Sequence, residues 1–287
     1  MNLIFSKPGT GVLIGKAAKE LLRKLLILMM ICIVLFPFIW LLTSSFKEEK
    51  DIMSFPPRVF SDHYTVDNYT FAFSFIPMLT YIWNTILFAG SVTLFSVFFD
   101  SMAGYAFSRI AFKGKTAVYS LILLTLMVPF QVIMIPLFVE EHKLGILNSF
   151  VGLLLPRMTC AYGIFMMRTF FWGLPKNLEE AARIDGENEI GIYFRIMLPL
   201  AKPGMVALGI YLLMTNWNDL TYPLILTTDS RMRTLPAGVA MFVGNNQSSY
   251  YGPMIAATVV SIVPLVLVYL CLQRQFITGI ARSGIKD

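Results

Sequence analysis

Glu180-Ala181-Ala182-Arg183-Ile184-Asp185-Gly186, followed by Ile196-Met197-Leu198-Pro199, is the charged interruption on which the reading of this chain turns. Very apolar segments lie on both sides of it. Such a stretch belongs in an aqueous loop of a membrane protein, and its composition suits a docking element better than a bare connector. The chain around it has 287 residues, of which 56% are hydrophobic and only 14% charged. Soluble domains carry roughly 25% charged residues. A single soluble core cannot hide this much apolar surface.

Runs of about 18 or more apolar residues read as membrane-spanning helices. Six are predicted, at 25–46, 81–107, 117–139, 148–172, 204–226 and 254–273, with a cytoplasmic loop at 173–203. The expected fold is one all-α membrane domain over 1–287. Pro129 and Pro136 are expected to kink the third span. Sixteen Lys and Arg residues are assigned to the side that holds both termini, Arg168 at the inner end of the fourth span among them, six flank the other, and Arg157 alone falls in the interior of a span. Cytoplasmic loops carry the excess of Lys and Arg, so both termini and the Glu180 loop are expected in the cytoplasm. The net charge of +6 then reflects topology and calls for no nucleic-acid partner.

Several chemistries find no support. The first apolar run exceeds the usual core of a cleaved signal peptide, and no small-residue cleavage site follows it. Cys32, Cys160 and Cys271 stand singly in apolar segments, which suits packing. His63 and His142 fall in outer loops and make no metal set. Gly114-Lys115-Thr116 lacks the first glycine of a phosphate loop, whose place Arg109 holds. No cofactor, and no ATP, is expected on this chain.

The loop itself reads as helix, hinge, helix. Asn177 with Glu180 three residues on matches an N-cap and its capping-box partner. Gly186 can end that helix in a left-handed conformation. Asn188 offers a second cap, and Pro199 is expected to stop the second helix before the fifth span. Ala181 and Ala182 would let another surface approach closely. Glu180 and Asp185 would accept its hydrogen bonds, with Leu178 and Ile184 as apolar anchors.

In the fifth span Tyr211, Thr215, Asn218 and Tyr222 recur at four, three and four residues, with Asp219 beside them. At about 100° per residue they would share a helical face. A polar stripe in a span faces the bundle interior, as a substrate path or as glue between helices. Arg157 either lines that path at mid-depth or snorkels near the outer surface, depending on where the fourth span begins. Asp100, inside the second span, calls for a buried polar partner.

Glu-Ala-Ala, three residues, Gly, nine residues, Ile-x-Leu-Pro resembles the signature loop of the permease subunits of bacterial ABC importers. Glu180, Ala181, Ala182, Gly186, Ile196, Leu198 and Pro199 match it in kind and spacing. Asn216 to Leu224, Val128-Pro129-Phe130-Gln131 through Ile135-Pro136-Leu137, Thr234-Leu235-Pro236 and the tail Gln273-Arg274-Gln275-Phe276 to Gly279 are similar to the carbohydrate-uptake branch, the maltose-type second permease. Glu187, Asn188 and Asp100 depart from that pattern.

The resemblance implies a bacterial inner-membrane protein with a second permease subunit, two ATPase subunits that hold ATP and Mg, and an extracytoplasmic sugar-binding protein. Coupling to the ATPase would fall to Glu180, Ala181, Ala182, Asp185, Gly186, Ile196, Leu198 and Pro199. The path would fall to Tyr211, Thr215, Asn218, Asp219 and Tyr222, with Arg157 and Gln131. Two alternatives remain. An ion-coupled secondary transporter gives the charged loop no purpose and shows no evident internal repeat. An intramembrane hydrolase needs a Ser–His or paired-Asp set that the spans lack.

Overall fold

The structure, a computed structural model, describes residues 10–243 and 250–284, and the side chains of 19–243 and 250–271. Lys7 and Lys286 lie outside the described residues. The tail motif from Gln273 to Gly279 is helical, but its side chains lie outside them too.

The described chain is helical and contains no β-strand. In order, the helices are α1 (Thr10–Ser44), α2 (Glu49–Ile52), α3 (Asp67–Phe75), α4 (Met78–Arg109), α5 (Lys115–Thr125), α6 (Phe130–Leu144) and α7 (Phe150–Leu154). Then follow α8 (Ala161–Trp172), α9 (Asn177–Ile184), α10 (Glu189–Gly191), α11 (Leu198–Trp217), α12 (Thr221–Leu226), α13 (Leu235–Ala240) and α14 (Tyr251–Gly284). Tight 3₁₀ turns occupy Leu155–Arg157 and Ser230–Met232, and a π turn occupies Ile192–Met197.

Four helical stretches are long and apolar enough to cross a membrane: Lys19–Ser44, Met78–Arg109, Glu189–Trp217 and Tyr251–Cys271. Two bent pairs make six if each counts as one span. The third span is not a kinked rod. It breaks between α5 and α6, which meet at 99°. Pro129 fixes an extended entry (φ −66°, ψ 142°) and supplies no N–H, so the helix must restart there. Pro136, by contrast, stays inside α6. The fourth span also breaks, by 44°, between Arg157 and Ala161.

The fifth span differs from expectation at both ends. Pro199 stops nothing, because helix runs on from Glu189 to Trp217. The π turn ends two residues ahead of Pro199 and leaves it near the start of a new α-helical register, where a missing N–H is tolerated. The far end stops at Trp217, short of residue 226. Asn218 Nδ2 donates to the Met214 carbonyl at 2.8 Å, and Asp219 Oδ1 accepts from the Tyr222 amide at 3.1 Å. Such side chains compete with the helix for its own backbone groups and end it.

α4 is the central element and packs most extensively on α8 and α11. Toward the loop side, Tyr105, Met167, Phe171, Tyr193, Met197 and Leu208 form one buried cluster. At the opposite end Ile76, Tyr81, Leu235, Phe242 and Ala257 join α3, α4, α13 and α14. Between them Phe88, Leu153, Tyr222 and Leu226 form a third. α1 contributes almost nothing to these cores: Leu21 to Leu42 are exposed along its length, as suits lipid or another apolar surface. The segment after α1 is fastened by Glu49, whose carboxylate accepts from the Tyr251 and Gly252 amides at 3.0 and 2.9 Å, capping α14.

Gly104 sets the closeness of α4 and α8. A Cβ there would lie 2.6 Å from Met167 Cβ and 2.8 Å from the Arg168 backbone nitrogen. Gly104→Ala is therefore expected to cost about 1–3 kcal/mol through overpacking. Gly90→Ala, which meets nothing within 4 Å on the same helix, is expected to stabilise by about 0.5–1 kcal/mol. Thermal unfolding of the two variants in detergent checks the contrast.

Candidate functional site

The charged loop forms a short lever. α9 begins one residue earlier in character than expected: the Lys176 carbonyl accepts from the amides of Glu179 and Glu180, so Asn177 is the first helical residue and caps nothing. The other end behaves as the sequence suggests. Gly186 sits at φ +83°, its amide bonds the Arg183 carbonyl at 3.1 Å, and the Glu187 amide bonds that of Ala182 at 2.9 Å. These two bonds make a Schellman motif, which a Cβ-bearing residue at Gly186 would strain. Asn188 Oδ1 then accepts from the Gly191 amide at 2.8 Å, starting the helix that runs into α11.

Two faces of α9 differ sharply. Glu180, Ala181, Asp185 and Ile184 (86% exposed) face outward, near Ile190 (71% exposed). Ala182 does not join them. It is buried against the Tyr105, Phe171 and Tyr193 cluster, so its small size serves close approach to the chain's own bundle. Of the second part of the signature, Ile196 and Leu198 are half-buried against that same cluster, and Pro199 is exposed.

Glu179, which the sequence did not single out, anchors the inner face. Its carboxylate is 3.1 Å from Arg109 Nε at the end of α4, and both side chains are 4% exposed. Arg183 lies 3.6 Å from Glu179 and 2.8 Å from Glu189. Burial pushes the Glu179 carboxyl above its ordinary value, against the pull of Arg109 and then Arg183. Arg109 also donates to the carbonyls of Phe171, in the last turn of α8, and of Leu174 just past it. One guanidinium thus ties α4, the end of α8 and α9 together. Nothing in the sequence marked Glu179 over Glu180 as the buried partner of Arg109.

Inside the spans, Arg157 meets Asp219 across the breaks in the fourth and fifth spans. Their closest atoms are 2.6 Å apart, and the two side chains are 22% and 17% exposed. Arg157 also donates to Asn216 Oδ1 at 2.9 Å, and its guanidinium stands 3.9 Å from the centre of the Tyr222 ring. Removed from bulk water, a planar guanidinium stacked on an aromatic and paired with a carboxylate is held firmly.

A cavity of about 260 Å³ opens beside this pair, lined by Arg157, Cys160, Tyr162, Tyr211, Thr215 and Asn216 among others. Tyr162 and Tyr211 pack with ring centres 4.5 Å apart and planes tilted by 43°. Of the residues expected on the path, the cavity gathers Arg157, Tyr211 and Thr215, with Asp219 bonded to its arginine. Tyr222 sits elsewhere. The break at Asn218 moves it onto α12, where it is buried and its hydroxyl donates toward the Gly152 and Leu153 carbonyls. Asn218 is exposed and donates to its own helix, and Gln131 is exposed on α6; neither lines this cavity. Tyr162 and Asn216 were missed. Asn216 stood in the motif around Trp217, but only the break shows which of its polar residues turns inward.

Asp100 is buried, but its partners are not: Thr159 is exposed and Cys160 half-buried. Asp100 accepts from Thr159 Oγ1 at 2.5 Å and the Cys160 amide at 3.0 Å, at the start of α8. Among the described residues no three His, Cys, Asp or Glu side chains converge as a metal site.

An apolar bundle of bent spans, with a cavity at the breaks that carries a few polar groups and a short charged helix on one face, fits a multi-pass transport permease. The chain belongs to the family described as binding-protein-dependent transport system inner membrane component, whose model matches residues 101–282. It is a permease subunit of an ABC importer, seated in the inner membrane, which sets aside the ion-coupled alternative. The arabinooligosaccharides transport system permease protein AraQ of Bacillus subtilis is 34% identical over 272 residues, 91% of this chain and 94% of that protein. The trehalose/maltose transport system permease protein MalG of Thermococcus litoralis is 34% identical over 277 residues, 93% and 99% of the two chains. A chain of a bacterial ABC transporter that imports the acidic polysaccharide alginate has the same fold. It aligns with TM-score 0.77 at 22% identity, over 96% of this chain and all of that one.

Arg109→Ala is expected to strand Glu179 in a buried site and to cost about 3–5 kcal/mol, as for other half-broken buried pairs. Arg109→Lys, which keeps the charge but not the fork, is expected to fall between it and the native chain. Unfolding of the purified protein in detergent measures both.

Proposed function

We propose that this chain is the sugar-conducting subunit of an ATP-driven importer, carrying an oligosaccharide across the membrane by alternating access. It would pair with a second permease, with two ATPase subunits that bind ATP and Mg, and with an extracytoplasmic sugar-binding protein. The chain performs no hydrolysis itself. The distribution of Lys and Arg supports placing both termini and α9 on the cytoplasmic side. The names of the sugar-transporting relatives support the substrate class.

The observation that carries this reading is the exposed outer face of α9, with Glu180, Ala181, Asp185 and Ile184 turned away from a helix whose inner face is fixed. That face would lodge in a groove on an ATPase subunit. When the ATPases close on ATP, α9 would be dragged with them. Gly186 lets the lever turn, and the unbroken helix from Glu189 to Trp217 carries the motion toward the cavity. Ile196, Leu198 and Pro199 lie on that connecting helix. The result is rigid-body rocking driven from outside the chain.

At the cavity, Arg157 and Asn216 would bond sugar hydroxyls while Tyr211 and Tyr162 cover a ring face. Thr215 would add a hydroxyl. Asp219 and Tyr222 would hold Arg157 in place and so act through it.

ATP-driven uptake of arabinotriose and maltotriose into proteoliposomes holding the whole complex tests the reading. Uptake abolished by an ionophore and indifferent to ATP would overturn it. Proline cannot adopt the positive φ of Gly186, so Gly186→Pro is expected to leave the complex assembled and hydrolysing ATP while uptake is lost. Normal uptake by that variant would remove the hinge. Tyr211→Ala is expected to raise KM for the sugar with little change in kcat, since stacking acts in binding.

A further inference from the structure

Ser96, Asp100, Ser101, Tyr105 and Arg109 form a polar stripe along α4 in two i, i+4 ridges about 100° apart, Ser96 with Asp100 and then Ser101, Tyr105 and Arg109. Every member is joined to a different part of the chain. At the loop end, Arg109 pairs with Glu179 of α9, and Tyr105 donates to Glu189 Oε2 at 3.1 Å. Next, the hydroxyls of Ser101 and Tyr193 are 2.7 Å apart, joining α4 to the π turn at the root of α11. At the far end Asp100 takes the Thr159 hydroxyl and the Cys160 amide, and Ser96 Oγ donates to the Arg157 carbonyl at 2.9 Å. Ser96, Asp100 and Ser101 have no solvent exposure at all. Thirteen residues of helix span about 20 Å. The stripe therefore starts at the lever and ends on the break that carries Arg157.

Asp100 shows how firm that far end is. A carboxylate inside a span costs roughly 2.5–3.5 kcal/mol to insert. Here it sits at the N-terminus of α8, where amide donors and the positive end of the helix dipole offset that cost. Gly163 leaves the room for it, since a Cβ at that position would collide with the carboxylate. The break in the fourth span is thus clamped to α4 at two points, four residues apart on α4, on either side of the turn.

We propose that α4 is the transmission rod of this permease: displacement of α9 moves α4 through the stripe, and Asp100 with Ser96 then resets the break and the aim of Arg157 toward Asp219. The inference rests on the reading of α9 as the docking helix. It adds a second route to the covalent one through Gly186 and α11, and it makes Asp100 and Ser101 positioning residues. A rigid element bonded at both ends is the kind of structure that can carry such coupling.

Hydrogen exchange on the whole complex in nanodiscs, nucleotide-free and trapped with ATP and vanadate, tests it without need of the sugar. Peptides over 177–190 report the lever, and peptides over 155–162 report the break, including the Cys160 amide held by Asp100. In the wild type both are expected to respond to nucleotide. In Ser101→Ala and in Tyr193→Phe the lever response should persist, while the break response falls about twofold or more, and the double variant should be no worse than either single, as expected for partners in one bond. Asp100→Leu should lose the break response, and Asp100→Asn, which keeps an acceptor oxygen, should recover part of it. A break that responds as in the wild type in both Ser101→Ala and Asp100→Leu overturns the proposal. So does a wild-type break that ignores nucleotide beside a lever that responds. A wild-type lever that ignores nucleotide removes the docking reading itself, and this proposal with it.

Discussion

A helix broken inside a membrane exposes amides and carbonyls where no water can take them. This chain breaks its fourth and fifth apolar stretches, and side chains close the account at each break. Asp100 takes the amide at the start of α8, Ser96 holds the Arg157 carbonyl, and Asp219 takes an amide of α12. Tyr222 reaches the carbonyls of Gly152 and Leu153. The polar groups that make the breaks tolerable are the same groups that aim Arg157 into the cavity. Local stability and the candidate site therefore depend on one set of bonds.

The loop end follows the same logic with charge in place of amides. Arg109 is buried; it satisfies the carbonyls of Phe171 and Leu174 at the end of α8 and forms an ion pair with the carboxylate of Glu179. The lever is held by its inner face to α4 and closed at its end by Gly186. Its outer face is exposed. On the proposed docking of that face, an element fixed on one side and open on the other would transmit force instead of merely connecting two spans. α4 also bonds the π turn, α10 and the fourth-span break, the contacts on which such coupling would rely.

Much of this was legible in advance, and the failures share a cause. Apolar run length located the spans, since lipid demands about 20 apolar residues however the rest of the chain packs. Gly186 and Asn188 were legible because a helix end is decided by its own few residues. Pro199 was misleading: its usual effect is local, but the π turn ahead of it shifted the register. The stripe in the fifth span misled for a related reason. Helical periodicity groups Tyr211, Thr215, Asn218 and Tyr222 only if the helix continues, and the Asn218-Asp219 pair ends it.

Residue chemistry by itself determined that the chain has helices long and apolar enough to cross a membrane, and that a charged pair of short helices joined at a left-handed glycine lies between two of them. Those properties follow from composition and from near neighbours along the chain. Only the tertiary structure decided that Ala182 faces inward, that Glu179 meets Arg109, that Asp100 caps a helix 60 residues away, and that Arg157 opposes Asp219. Each of these joins groups far apart in sequence. A buried charge announces that it needs a partner, but which partner it finds is fixed only when the helices pack.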